Sequence, residues 1–183
     1  YLVLVTGGLQ EDGLADVADG FGGGRSREQI LLILRDSRIG SYGGVALTLT
    51  LLGRILLLSS IPVALVAPYL ITAHVLGRWT TLPLSYFLPP ARPGTTEGVD
   101  GQGARIAKLT STGTLVGGTI FSFAAAVLLF RIHAIAPIIV AAALTLLTGL
   151  YYKRRIGGIT GDCFGATMQL AEIGVYLCGA WTL

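Results

Sequence analysis

Charge is what this sequence has least of. Only 13% of its 183 residues are Asp, Glu, Lys or Arg, about half the share of roughly 25% that soluble globular domains carry. Hydrophobic residues make up 52% of the chain, and its mean hydropathy is +0.72. These figures exclude most soluble classes and predict an all-α, polytopic integral membrane helix bundle.

Cysteine and histidine are also scarce. Cys163 and Cys178 do not form a C-x-x-C pair, and no Cys/His spacing is typical of zinc, which excludes a disulfide framework and a zinc site. His74 and His133 are isolated and are predicted to be packed or interfacial. The chain also lacks an initiator Met and begins with five apolar residues. We expect it to be truncated at its N-terminus, with residues 1–5 the end of an earlier span.

Long stretches without charge locate the membrane spans. Crossing about 30 Å of hydrocarbon takes roughly 20 helical residues. One apolar tract is too long for a single span and is predicted to turn near residues 59–62, and a last span carries Glu172 at its centre. The predicted spans are residues 45–60, 63–78, 109–130, 132–152 and 163–183. With residues 1–5 they form one transmembrane domain over residues 1–183.

The basic residues determine the predicted orientation. The loops 6–42, 79–108 and 153–162, with Arg78 at the edge of the second, hold eleven of the thirteen Lys and Arg residues. The positive-inside rule makes this face cytoplasmic. We therefore expect a multi-pass protein of the cell (inner) membrane with its chemistry on the cytoplasmic side.

An acidic segment stands out in the first loop, where residues 11–20 read EDGLADVADG. Asp12, Asp16 and Asp19 are spaced by four and three residues, so a helix would carry all three on one face. Carboxylates this close repel one another unless a cation lies among them, and Mg²⁺ prefers oxygen ligands together with substrate phosphates. A solvated acidic helix face is the alternative interpretation.

Arginines follow at the end of a short amphipathic helix that Ser26 is predicted to cap. Arg35 and Arg38 flank Asp36 just before the next span. Guanidinium groups suit bidentate phosphate binding, whereas positive-inside anchors with a local salt bridge would give the same pattern. Arg78 ends its span and is a further candidate phosphate contact.

The third loop sets three cations and a glycine-rich turn before Asp162. Backbone N–H groups in such a turn can hold anions, and Asp162 is either a metal ligand or the N-cap of the last helix. Glu172 is a functional candidate because intramembrane carboxylates are costly. Arg54, within the predicted span at residues 45–60, is the obvious candidate to pair with such a carboxylate.

These motifs, in this order, resemble the adenosylcobinamide-GDP ribazoletransferase (cobalamin synthase) family. The resemblance is carried by EDGLADVADG at residues 11–20, RDSRIG at 35–40 with Gly43, Arg78, and GITGD at 158–162 with Glu172. One departure is Gln10, because the family usually has His there in a Gly-Gly-x-His-x-Asp-Gly run.

The resemblance implies a reaction in late cobalamin (vitamin B12) biosynthesis. α-Ribazole or its 5′-phosphate would attack adenosylcobinamide-GDP with Mg²⁺ as cofactor, and GMP would leave. The metal ligands it implies are Asp12, Asp16, Asp19 and Asp162. The substrate-binding residues it implies are Gln10, Arg35, Arg38, Arg78, Thr160 and Gly161. The catalytic residues it implies are Asp19, Asp36, Arg35 and Arg38, with Asp19 or Asp36 as the candidate base.

Two other functions remain open at this point. A CDP-alcohol phosphotransferase has a related acidic motif, but here Asp16 replaces its Arg and the later spacing differs. A divalent-cation transporter could use the same carboxylates, although only Glu172 lies within a span. The expected partners are the two substrates, the lipid bilayer and a second copy of the chain in a homo-oligomer, and no nucleic acid is expected.

Overall fold

The structure is a computed structural model that describes residues 7–92 and 110–181. The described residues are helical apart from short connections, and the one β-bridge among them joins Pro90 to Ile159. The α-helices are α1 (Leu9–Gly23), α2 (Arg27–Ile33), α3 (Ser41–Ser60), α4 (Val63–Trp79), α5 (Thr81–Phe87), α6 (Thr112–Phe130), α7 (Ile135–Ile156) and α8 (Gly161–Trp181). The predicted all-α bundle is confirmed.

Three of these helices, α3, α6 and α7, are long and apolar enough to cross a membrane. They correspond to three of the five predicted spans, with ends that differ by a few residues. The other two predicted spans are also helices, α4 with 17 residues and α8 with 21. Whether α4 and α8 cross the bilayer stays a prediction, and the predicted span ending within residues 1–5 lies outside the described residues.

The predicted turns have clear physical causes. The apolar tract turns at Ile61, an extended residue, and Pro62, which precedes α4. Ser26 accepts a hydrogen bond from the backbone N–H of Gln29 at 3.2 Å and so caps α2 as expected. Arg131 begins a short 3₁₀ turn between α6 and α7 with φ of 54°.

Helix α8 lies at the centre of the bundle and packs against α1, α3, α4 and α7. More than half of its residues are buried. Glycines allow the close approaches, as is usual where helices pack in lipid. A Cβ on Gly174 would lie 2.7 Å from Val140 of α7, and one on Gly179 would lie 2.8 Å from Ile61 at the end of α3.

The predicted loop 6–42 is largely helical. Its helix α1 runs alongside α3 and α8, and Glu11 in the first turn of α1 reaches Arg54 near the middle of α3. The acidic motif is therefore built into the bundle between two long helices. Much of the predicted loop 79–108 lies outside the described residues, but its first part forms α5.

A second layer closes the charged end of the bundle. Arg27 donates to the carbonyls of Ile156 and Ala91, at 2.9 and 2.7 Å. Arg155 donates to the carbonyl of Gly24 at 2.9 Å. These bonds tie α2 and the end of α7 to the segment that follows α5, over a buried apolar cluster that includes Phe21.

Candidate active site

The acidic motif of α1 meets the beginning of α8. Gly13 lies directly against the backbone of Asp162, where a Cβ would be 2.8 Å from the carbonyl oxygen. Gly165 lies equally close to Gln10, since a Cβ there would be 3.2 Å from the Cα of Gln10. This pair of glycines brings Asp162 beside the acidic residues of α1, although about 150 residues separate them in the chain.

Electrostatics show how close these carboxyls are. Burial, together with the charges of Asp12, Asp162 and Asp19, raises the pKa of Asp16 to about 6. Burial and the charge of Asp12 also raise the pKa of Asp162, against a hydrogen bond from Thr160 and the charge of Arg92 that lower it. Three predicted metal ligands, Asp12, Asp16 and Asp162, thus repel one another in the absence of a cation.

The fourth predicted ligand, Asp19, has a structural task as well. Its carboxylate accepts the backbone N–H groups of Gly40 at 2.7 Å and Gly43 at 2.9 Å. Asp19 therefore caps the N-terminus of α3 from a different helix, which accounts for the two glycines: a Cβ on either would lie 2.3 Å from a carboxylate oxygen of Asp19. The three Asp residues share one helix, but Asp19 turns toward α3.

A cavity of about 410 Å³ lies beside the acidic residues. Asp12 and Asp16 form its acidic wall, and Ser37 and Ile39 from the loop before α3 contribute to another side. This cavity has the size of a small-ligand site and carries carboxylates on its wall.

One cation close to Asp162, Arg92, is not among those that the sequence indicated. Arg92 is close enough to Asp162 and to Arg35 for their charges to act on it, and burial is the largest cause that lowers the pKa of Arg92. One of its nitrogens donates to the Leu31 carbonyl at 3.2 Å, whereas its buried Nε has no hydrogen-bond partner. The sequence pattern does not distinguish Arg92, since its only feature there is a basic residue directly after a Pro-Pro-Ala run.

Arg38 and Asp36 are engaged with each other. The Arg38 guanidinium lies 2.6 Å from a carboxylate oxygen of Asp36, and both are exposed. This contact lowers the pKa of Asp36 to about 2, and a carboxylate with so low a pKa is a weak proton acceptor. The catalytic roles of both residues stay predictions.

The glycine-rich turn before α8 pairs through its backbone with the segment that follows α5. Gly157 adopts a left-handed conformation with φ of 74°, and the N–H of Ile159 donates to the Pro89 carbonyl at 2.9 Å. Thr160 is buried and its hydroxyl donates to Asp162 at 3.2 Å. Thr160 therefore orients a predicted metal ligand, and Gly161 begins α8.

A buried ionic network lies deeper, about 15 Å along α8 from Asp162 at 1.5 Å per residue. Glu172 is fully buried and accepts hydrogen bonds from Arg54 and, at 2.7 Å, from Arg78. The ring nitrogen Nδ1 of His74 lies 2.8 Å from the same carboxylate. The suspected pairing of Arg54 with Glu172 is present, and Arg78 also pairs with Glu172.

The network extends to α1. Arg54 also donates to Glu11 at 3.3 Å, and Gln169 donates to Glu11 at 3.0 Å. Buried oxygens of Glu11 and Gln169 have no hydrogen-bond partner among the described residues. The sequence pattern does not identify Glu11 or Gln169 as part of a network, because only tertiary packing brings α1, α3 and α8 together.

The oxygen donors of Asp12, Asp16 and Asp162 suit a hard divalent cation, but their positions do not yet form a coordination site. All are oxygen donors, and the pKa of Asp16 is raised by its burial and then by the charges of Asp12, Asp162 and Asp19. Within residues 7–92 and 110–181, however, no three acidic, His or Cys side chains are positioned as ready-made ligands of one ion. A cation would need side-chain rotations of Asp12, Asp16 or Asp162, or oxygens from a substrate.

Comparisons with known proteins agree with the sequence resemblance. A family model described as cobalamin-5-phosphate synthase matches residues 1–180. A Polaromonas adenosylcobinamide-GDP ribazoletransferase is 40% identical over 195 residues, which cover 96% of this chain and 68% of that protein. The proteins of that name from Azorhizobium caulinodans and Escherichia coli are 44% and 38% identical, covering 93% and 94% of this chain and 65% and 68% of theirs. No solved structure matches the chain.

Proposed function

The chain belongs to the cobalamin-5-phosphate synthase family, and we propose that it joins α-ribazole, or its 5′-phosphate, to adenosylcobinamide-GDP with release of GMP. One observation in the structure supports this best. The close contact of Gly13 with Asp162 brings a third carboxylate to the acidic face of α1. Transfer from a diphosphate ester requires such a concentration of cation-binding oxygens.

The reaction is a phosphoryl transfer to an alcohol. A ribazole hydroxyl oxygen forms a bond to the phosphorus on the cobinamide side, the bond from that phosphorus to the bridging oxygen breaks, and GMP leaves with that oxygen. The hydroxyl proton passes to a base, for which Asp19 and Asp36 are the candidates from sequence. Asp36 is held by Arg38 and Asp19 by the N–H groups of Gly40 and Gly43, so either carboxylate must release these contacts before it accepts the proton.

Asp12, Asp16 and Asp162 would hold Mg²⁺, with Asp19 next to them on α1. When bound, the ion supplies positive charge against the diphosphate and the developing charge on GMP. Thr160 keeps Asp162 oriented by its hydrogen bond. Most of the rate enhancement then comes from positioning and charge neutralisation.

Arg35 is exposed and forms no ion pair within the described part of the chain, so its guanidinium is available to bind a phosphate at this end of the bundle. Arg92, beside Asp162, is a second candidate that the sequence alone did not suggest. Arg38 would have to release Asp36 first. Arg78 would have to leave Glu172 to reach a substrate, so we assign Arg78 to the buried network and not to substrate binding.

The same proposal sets the location of the enzyme. The apolar helices α3, α6 and α7 make it a membrane protein, and the basic residues favour a cell (inner) membrane location with the acidic residues on the cytoplasmic side. The comparisons support neither the CDP-alcohol phosphotransferase nor the cation transporter. A homo-oligomer stays a prediction.

The test is GMP release from adenosylcobinamide-GDP and α-ribazole phosphate, with the protein in lipid and with or without Mg²⁺. We expect Mg²⁺-dependent release that Asp16→Asn abolishes and that the matched control Glu28→Gln, an exposed residue of α2, leaves unchanged. Gln10→His should raise the rate if position 10 belongs to the site. No release from the folded protein or from its Gln10→His variant would refute the proposal, and flux of Mg²⁺ into vesicles that Asp12→Asn abolishes would then favour transport.

A further inference from the structure

An apolar groove of about 290 Å³ runs along the outer face of α7, away from the acidic residues. Its wall on α7 extends from Ala142 through Leu146 and Leu150 to Lys153, and α5 forms the opposite wall. Phe87, Leu146 and Leu150 line it and are 69%, 62% and 57% exposed, so the groove opens outward. Since α7 is long and apolar enough to span the membrane, this opening faces lipid.

The dimensions of the groove match one membrane leaflet. Ala142 and Lys153 are eleven residues apart, which is about 16 Å of helix. Half of a hydrocarbon core of about 30 Å is nearly the same length. The groove is therefore about as long as one acyl chain, and among the described residues the only charged one that lines it, Lys153, lies at one end.

Lys153 makes that end selective for negative charge. It is exposed in the last turn of α7, next to Arg154, and no acidic residue of ranges 7–92 and 110–181 lines the groove. Among the described residues no carboxylate forms a salt bridge with it. A long side chain at a helix end extends toward the headgroup region, where a lipid phosphate lies.

We propose that this groove binds the acyl chain of an anionic phospholipid whose headgroup contacts Lys153. A buried apolar cluster containing Leu84, Leu88 and Tyr152 lies between the groove and α1, so the lipid site is separate from the acidic site. One cation near an anionic headgroup contributes about 1 kcal/mol, which corresponds to about fivefold enrichment of anionic over zwitterionic lipid.

The chain supplies its own reporter. It has two Trp residues. Trp79 is 8% exposed and lines both this groove and a second cavity beside Arg78, and Trp181 is 85% exposed near the end of α8. In a Trp181→Phe background all tryptophan fluorescence comes from Trp79. That variant is reconstituted into phosphatidylcholine vesicles with a small fraction of either phosphatidylglycerol or phosphatidylcholine carrying brominated acyl chains, which quench on contact.

Brominated phosphatidylglycerol should quench Trp79 about five times more effectively than brominated phosphatidylcholine at the same fraction. Lys153→Gln should remove this preference, and the neighbouring Arg154→Gln should keep it. Equal quenching by the two lipids would identify an ordinary annular position and overturn the proposal. So would the absence of quenching by both, or a preference that survives Lys153→Gln or is lost equally in Arg154→Gln.

Discussion

Replacing Glu172 with Gln should be among the most destabilising single changes in this protein. The side chain is fully buried and neutralises Arg54 and Arg78. Gln keeps the size and one acceptor oxygen but removes the charge, which leaves two partly buried guanidiniums with Glu11 as their remaining carboxylate. Removing one partner of a buried ion pair costs about 3 to 5 kcal/mol.

The assay is unfolding of the purified protein in mild detergent, followed by circular dichroism during titration with a denaturing detergent. The free energy of unfolding should fall by about 3 to 5 kcal/mol in Glu172→Gln. The control Glu28→Gln changes an exposed carboxylate of α2 and should stay within about 0.5 kcal/mol of the parent. If Glu172→Gln stays within about 1 kcal/mol of the parent, the carboxylate does not neutralise the two arginines.

A double-mutant cycle separates loss of the pair from loss of packing. Arg54→Met and Glu172→Met should each be costly alone, because each leaves a buried charge without its partner. Combined, they should cost clearly less than the sum of the two, since Arg54 and Glu172 no longer leave each other unpaired. The cost that remains is that of Arg78 without Glu172 and Glu11 without Arg54. Additive costs would show that Arg54 and Glu172 act independently and would refute the network.

Three further predictions concern α1 and α3. Gly43→Ala should lower the free energy of unfolding by about 1 to 3 kcal/mol, because its Cβ would lie 2.3 Å from the Asp19 carboxylate that caps α3. In the control Gly44→Ala the new Cβ meets nothing within 4 Å, so thermal stability should stay unchanged or rise. Gly13→Ala should push α1 away from α8 and reduce GMP release and Mg²⁺-dependent stabilisation together, whereas Gly53→Ala, also in open space, should affect neither. Because the pKa of Asp16 is raised from 3.8 to about 6, the folded state binds more protons than the unfolded state between those values, so stability measured in EDTA should fall as pH rises through this window. Asp16→Asn should flatten that decline, and Mg²⁺ should raise the melting temperature more above pH 6 than below it; an unchanged profile in the variant would count against the repulsion.

Local pattern was enough to predict most of the helices. Uncharged stretches predicted α3, α6 and α7 because membrane helices must satisfy their backbone internally and need a fixed apolar length. Ser26 was recognisable as a cap because its hydrogen bond forms within four residues. Features of this kind depend on neighbours in sequence, so a single chain reveals them.

The parts of the candidate site that depend on tertiary contacts were harder to predict. The spacing of Asp12, Asp16 and Asp19 predicted a shared helix face, but it could not show that Asp19 would cap α3. Arg92 lies beside Asp162 through the bridge between Pro90 and Ile159, a pairing across some seventy residues. No local periodicity records a contact of that kind.

The acidic residues and the buried network are linked, because both lie between α1 and α8. Burial first, and then the neighbouring carboxylates, raise the pKa of Asp16 and of Asp162, so keeping both charged opposes the packing of α1 on α8. The same two helices are joined deeper in the bundle, where Arg54 bridges Glu11 of α1 and Glu172 of α8. The attraction at that level offsets the repulsion near the helix ends, so the carboxylates stay close without a cation among them. A bundle without this bridge would relieve the repulsion by separating α1 from α8, and the site would then have to be assembled anew each time a metal and a diphosphate arrive.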